Sequence, residues 1–130
     1  MATATDSRVA TESLSGLHWA GAALAVVSGV IHLVLGAVSL LGGDVGFGVA
    51  FLLAGIAFLV AVGLLVIDYR RPVLYAVGVP FTAVQILAWY WLNYGSTGRS
   101  LGSVGGIEIA DKLAQVLLIV VLVVLYRREA

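Results

Sequence analysis

The chain has 130 residues, 62% of them hydrophobic and 11% charged, with basic and acidic side chains in balance. So little charge cannot coat a soluble domain of this size, and zero net charge leaves no electrostatic footprint for nucleic acid. The absence of cysteine excludes disulfides, thiol chemistry and cysteine-ligated metals.

The first sixteen residues, "MATATDSRVATESLSG", form a polar stretch expected to be a disordered tail. An apolar run over 17–41 follows. It is far longer than the ~7–15 residues of a signal-peptide core and has one arginine before it, so it reads as a membrane span rather than a cleaved leader. Gly21, Ala25, Ser28, His32 and Gly36 recur along it at helical steps. Small residues on one stripe let another helix approach, so His32 is expected to point into a bundle. His18, beside Trp19, reads as an interfacial anchor.

The second run, 47–67, carries Ala50, Ala54, Ala57 and Ala61, with Gly48, Gly55 and Gly63 nearby and no polar side chain. It reads as a packing helix. The third, 73–93, puts Gly78, Thr82, Gln85 and Trp89 on one face. Its Pro80 removes a backbone donor and should kink the span. The fourth, 107–126, opens with Glu108, Asp111, Lys112 and Gln115 on a single face. The run after Lys112 makes only ~21 Å of helix, too short to cross alone. The charged turn must therefore enter the edge of the bilayer. As plain anchors, Glu108 and Asp111 would complement the helix N-terminus, Glu108 would pair with Lys112, and Lys112 would snorkel outward.

Each run approaches the ~20 residues that cross ~30 Å of hydrocarbon. Four strands cannot close a barrel, so helices are the spanning elements. The expected fold is all-α: a polytopic, antiparallel bundle of four transmembrane helices. "GGDVG" (42–46) and "DYRRP" (68–72) are short enough for tight hairpins, whereas "YGSTGRSLGSVGG" (94–106) is long, rich in Gly and Ser, and expected to be mobile. Arg8, Arg70, Arg71, Arg127 and Arg128 fall on one side and Arg99 on the other. The positive-inside rule then places both termini in the cytoplasm of a multi-pass cell-membrane protein. Trp19, Tyr69, Tyr75 and Tyr126 would mark the inner interface, and Trp89, Tyr90, Trp91 and Tyr94 the outer one.

Counted from the outer helix ends, His32 lies ~13 Å deep, Gln85 ~12 Å and Gln115 ~11 Å, with Asp111 one turn above Gln115. These residues can meet as a polar centre, with Trp89 as an apolar wall. Gln85 or Gln115 is the expected partner of His32, and Asp111 the charged alternative. The plainer reading has His32 bonded to Ser28 or a glutamine and locking helix packing. Intramembrane ionisable groups otherwise point to a proton, solute, quinone or lipid site. A haem would need ligands at one depth on two helices, but His18 and His32 share one helix ~21 Å apart. No zinc, phosphate-loop or catalytic-triad motif is present. No metal and no cofactor is expected.

"GVIHLVLGA" in the first span and "YAVGVPFTAVQILAWYWLN" in the third resemble small four-helix membrane families of uncharacterised role, DoxX-like in layout and frequent in halophilic archaea. The likeness covers most of the chain and implies a four-span bundle without implying catalytic residues. Small multidrug transporters differ by a first-span glutamate, and fluoride channels by a polar Gly-Thr-Phe-Ser stretch. The expected function is non-enzymatic: a structural or accessory membrane protein embedded in the lipid bilayer. It would associate with itself or with a larger complex. The alternative is a small transporter or ligand-binding protein using His32, Gln85, Gln115 and Asp111.

Overall fold

A computed structural model describes residues 14–95 and 105–129. Four helices run in chain order: α1 (Gly16–Leu41), α2 (Val45–Val66), α3 (Arg71–Tyr90) and α4 (Gly106–Glu129). A single π turn, Trp91–Gly95, extends α3. All four helices are long and apolar enough to cross a membrane. The all-α four-helix bundle expected from the four apolar runs is therefore the fold. The expected disordered tail falls mostly outside the described residues, as does most of the long third connection. Ser15 and Gly16, placed in that tail from the sequence, instead cap and begin α1.

The helix ends follow local chemistry. The Ser15 side chain accepts from the His18 backbone N–H, and His18 Nδ1 accepts from the Ser15 N–H at 3.0 Å, a reciprocal cap. After α1, Gly43 takes φ +87°, a left-handed conformation that favours glycine. Asp44 then caps α2 through the Phe47 N–H at 3.3 Å. The turn into α3 is tighter. Asp68 and Arg70 both adopt positive φ, and a proline follows in the first turn of the helix, where its missing N–H costs nothing. Pro80 lies inside α3, and the helix continues past it to Tyr90.

The closest packing is between α1 and α2, and glycines make it. A Cβ on Gly55 would lie 2.8 Å from the Gly29 carbonyl oxygen, and one on Gly48 would lie 3.1 Å from that of Gly36. The α2 alanine row is not the seam. Ala50 is exposed, and Ala57 and Ala61 line an opening toward α3. α4 packs against both α1 and α3, whereas α2 and α3 touch sparingly. The tight hairpin expected between the second and third spans is thus a short turn joining two loosely packed helices. Two apolar layers, Ala22/Leu65/Tyr75/Leu125 and Ala25/Phe58/Leu118, form the core. They separate two polar levels.

Candidate polar centre

α1 brings Ser28 and His32 inward one turn apart. α4 supplies Asp111, Lys112 and Gln115, and α3 supplies Gln85. Ser28 and Gln115 have no exposed surface, while His32 is 4% and Asp111 3% exposed. Charged and amide groups at such depth must find partners, because each unpaired one costs several kcal/mol.

They find them in a continuous ladder. Ser28 Oγ donates to Asp111 Oδ1 at 2.7 Å, joining α1 to α4. Lys112 Nζ donates to Asp111 Oδ2 and to Gln115 Oε1, both at 2.8 Å. Gln115 Nε2 donates to Gln85 Oε1 at 3.0 Å, joining α4 to α3. Gln85 Nε2 closes the ladder on the Phe81 carbonyl at 3.2 Å. The Asp111 carboxylate and Lys112 ammonium offset each other's charge, so the ladder holds an ion pair rather than a net charge.

His32 stands at its edge. Nδ1 lies 2.7 Å from the Ser28 carbonyl oxygen, an acceptor only, so Nδ1 carries the proton and donates it there. The same nitrogen is 3.7 Å from Asp111 Oδ1. The ring packs with centroids 5.8 Å from both Phe51 and Phe58 of α2. Nε2 has no hydrogen-bond partner among the described residues. The glutamines expected from depth as partners of His32 are bonded to each other instead; Ser28 holds the imidazole, and Asp111, the charged alternative, is the carboxylate beside it.

Trp89 forms the roof rather than an apolar wall beside His32. Its Nε1 donates to Glu108 Oε1 at 3.0 Å, and Lys112 Nζ lies 5.4 Å from its ring centroid. Lys112 turns inward to this roof and to the ladder, with its side chain 14% exposed, and does not snorkel out. The second Glu108 oxygen accepts the Gly105 N–H at 3.0 Å, and so the residue completes the start of α4 as an acidic group should. Tyr94, placed in the outer aromatic belt from the sequence, is buried in the π turn and meets Trp89 edge-on at 5.2 Å. Lys112 and Ser28 are the centre's two members that depth counting left out of the candidate set.

A second polar level sits at the opposite end. His18 is buried, 6% exposed, and its Nδ1 is taken by the Ser15 N–H, so Nε2 donates to Glu129 Oε2 at 2.8 Å. The Tyr75 hydroxyl donates to the same oxygen at 2.9 Å. Arg71, buried below Tyr75, donates from Nε to the Leu65 carbonyl at the end of α2 and lies 3.4 Å from Asp68. The interfacial-anchor readings of His18 and Tyr75 are therefore corrected. Both are tied to the last turn of α4, because a carboxylate at the same level supplies an acceptor. The sequence held that signal: His18 lies near the start of its span, Tyr75 near the start of its own, and Glu129 at the end of the last. Among the described residues no group of three His, Asp or Glu could hold a metal ion.

No curated protein and no solved structure matches this chain. A family model does, over residues 4–126, nearly the whole length and all four helices. The chain belongs to the family of unknown function DUF7475.

Proposed function

We propose that the protein is a non-enzymatic component of the cell membrane, with both termini in the cytoplasm. It would act by lateral association with further copies of itself or with a larger membrane complex. The observation that carries this reading is the closed ladder Ser28–Asp111–Lys112–Gln115–Gln85, whose members spend their hydrogen bonds on one another across α1, α4 and α3. A polar centre of that kind fixes how helices pack. The outward faces of the helices carry large apolar side chains such as Val34, Leu53, Val84 and Leu117. A protein built so meets its surroundings sideways, through lipid or other helices.

Mild extraction followed by mass analysis and an absorbance spectrum tests the reading. The expected result is co-extraction of further copies or of a second membrane protein, with no Soret band. Recovery of a strictly monomeric chain carrying a stoichiometric chromophore would overturn it.

One observation favours a second reading. The His32 imidazole stands 3.7 Å from Asp111 and has a nitrogen without a protein partner among the described residues. A histidine beside a buried carboxylate is the arrangement of a proton site. This alternative requires proton flux into liposomes to fall to the protein-free rate in Asp111→Asn while the bundle stays folded. The lock reading expects no flux above that rate in the unaltered protein.

A further inference from the structure

The loose contact of α2 with α3 leaves a lateral cleft of about 270 Å³. Ala57 and Ala61 form one wall, Val77 and Phe81 the other, and α1 and α4 the floor. A shallower groove continues it past Leu64, Val77 and Leu74 to Tyr69 and Arg70 in the turn before α3. Leu64, Leu74 and Val77 line both, so the two form one track. The apolar part runs alongside α3 from Leu74 to Phe81, roughly 10 Å of helix. At its head Arg70 is exposed, with its guanidinium 5.5 Å from the Tyr69 ring centroid and no ion pair among the described residues. Its neighbour Arg71 is already committed to Leu65 and Asp68.

We infer that this track is a binding site for one anionic phospholipid, with its phosphate on Arg70 and one hydrocarbon chain in the α2–α3 cleft. Charge complementarity selects the occupant. A guanidinium at the membrane edge matches phosphate geometry, and cations at that level favour anionic lipid. A second copy docked on the same face by a two-fold axis would bring its own Arg70 against this one, which repels. The site uses none of the ladder's side chains and is compatible with self-association through another face. Its Arg70 head sits at the opposite end of the core from the polar centre, and the cleft runs up to Phe81, on whose carbonyl the ladder closes. Thr82 adds a discriminating detail. Its hydroxyl is buried on the cleft lining, 1% exposed, without a hydrogen-bond partner among the described residues. A lipid chain passes it without using it, whereas a quinone head would accept its hydrogen bond.

Native mass spectrometry of the full chain, titrated with phosphatidylglycerol and phosphatidylcholine of identical chains, tests the site. One phosphatidylglycerol should bind per chain, about fivefold more tightly than phosphatidylcholine. Arg70→Gln should bring the two lipids to parity, and Ala61→Phe, which fills the cleft, should weaken both. Should Ala61→Phe fail to fold, Val77→Trp narrows the track from its exposed wall and should have the same effect. Thr82→Val should leave phosphatidylglycerol binding unchanged. Equal affinity for the two lipids in the unaltered protein would overturn the proposal. So would full binding in the cleft-filling variant, or a co-purified quinone lost in Thr82→Val. Dimers abolished by Ala61→Phe would assign the face to a second copy instead.

Discussion

Ser28, rather than His32, makes the first direct link between helices in the polar centre. Its hydroxyl reaches Asp111 while its carbonyl accepts the imidazole N–H, so one small residue serves both neighbours. Ser28→Ala leaves Asp111 one donor short and should cost about 1–2 kcal/mol of bundle stability, read from unfolding in a bilayer mimic. At the other polar level, Tyr75→Phe removes one of two hydrogen bonds to Glu129 and should cost about 1 kcal/mol in the same assay. A Tyr75→Phe protein as stable as the parent would show that this bond adds nothing. The membership of the centre was legible from residue type and helical stripe, since His32, Asp111, Gln115, Gln85 and Trp89 do lie together. The pairing was not. Depth counted from the outer ends of the spans treats those ends as level. Ser28 lies ~20 Å of helix from the end of α1, while the Asp111 it bonds lies only ~8 Å from the start of α4. The α1–α2 hairpin overshoots α4, and that offset of ~12 Å moves His32 up by about two turns from the glutamines.

Among the elements, α2 shows how a helix without polar side chains is placed. Its seam is read from glycines, because only a missing Cβ lets the Gly29 and Gly55 backbones come together. Nothing local in the sequence separates an alanine packed on a helix from one lining a cleft. Gly55→Val should push α1 from α2 and cost about 1–3 kcal/mol, while the same change at Gly63, which has open space around it, should cost far less. Thermal unfolding of the two variants side by side checks this, and equal losses would place the seam elsewhere. The helices begin where local chemistry permits, α2 at the Asp44 cap and α3 at the Arg71–Pro72 pair. The π turn after α3 carried no such mark and depends on Tyr94 packing against Trp89.

Across the whole molecule, two polar levels bracket an apolar core, and α4 contributes to both through Asp111 and Glu129. This helix alone is bonded to α1 and α3 at each level, which makes it the keystone of the bundle. The proposed orientation has its own check. The chain lacks cysteine, so a single Tyr69→Cys reports its side cleanly, and it should react with an impermeant thiol reagent only from the cytoplasmic face. Labelling from outside would invert the topology. A buried ladder that locks the helices must couple its partners energetically. The most direct measurement is a double-mutant cycle on Asp111→Leu and Lys112→Leu, read as unfolding free energy in one bilayer mimic. Each single change strands a buried charge and should cost about 3 kcal/mol or more, whereas the double change should cost far less than their sum. Losses that simply add, to within about 0.5 kcal/mol, would contradict a lock of this kind.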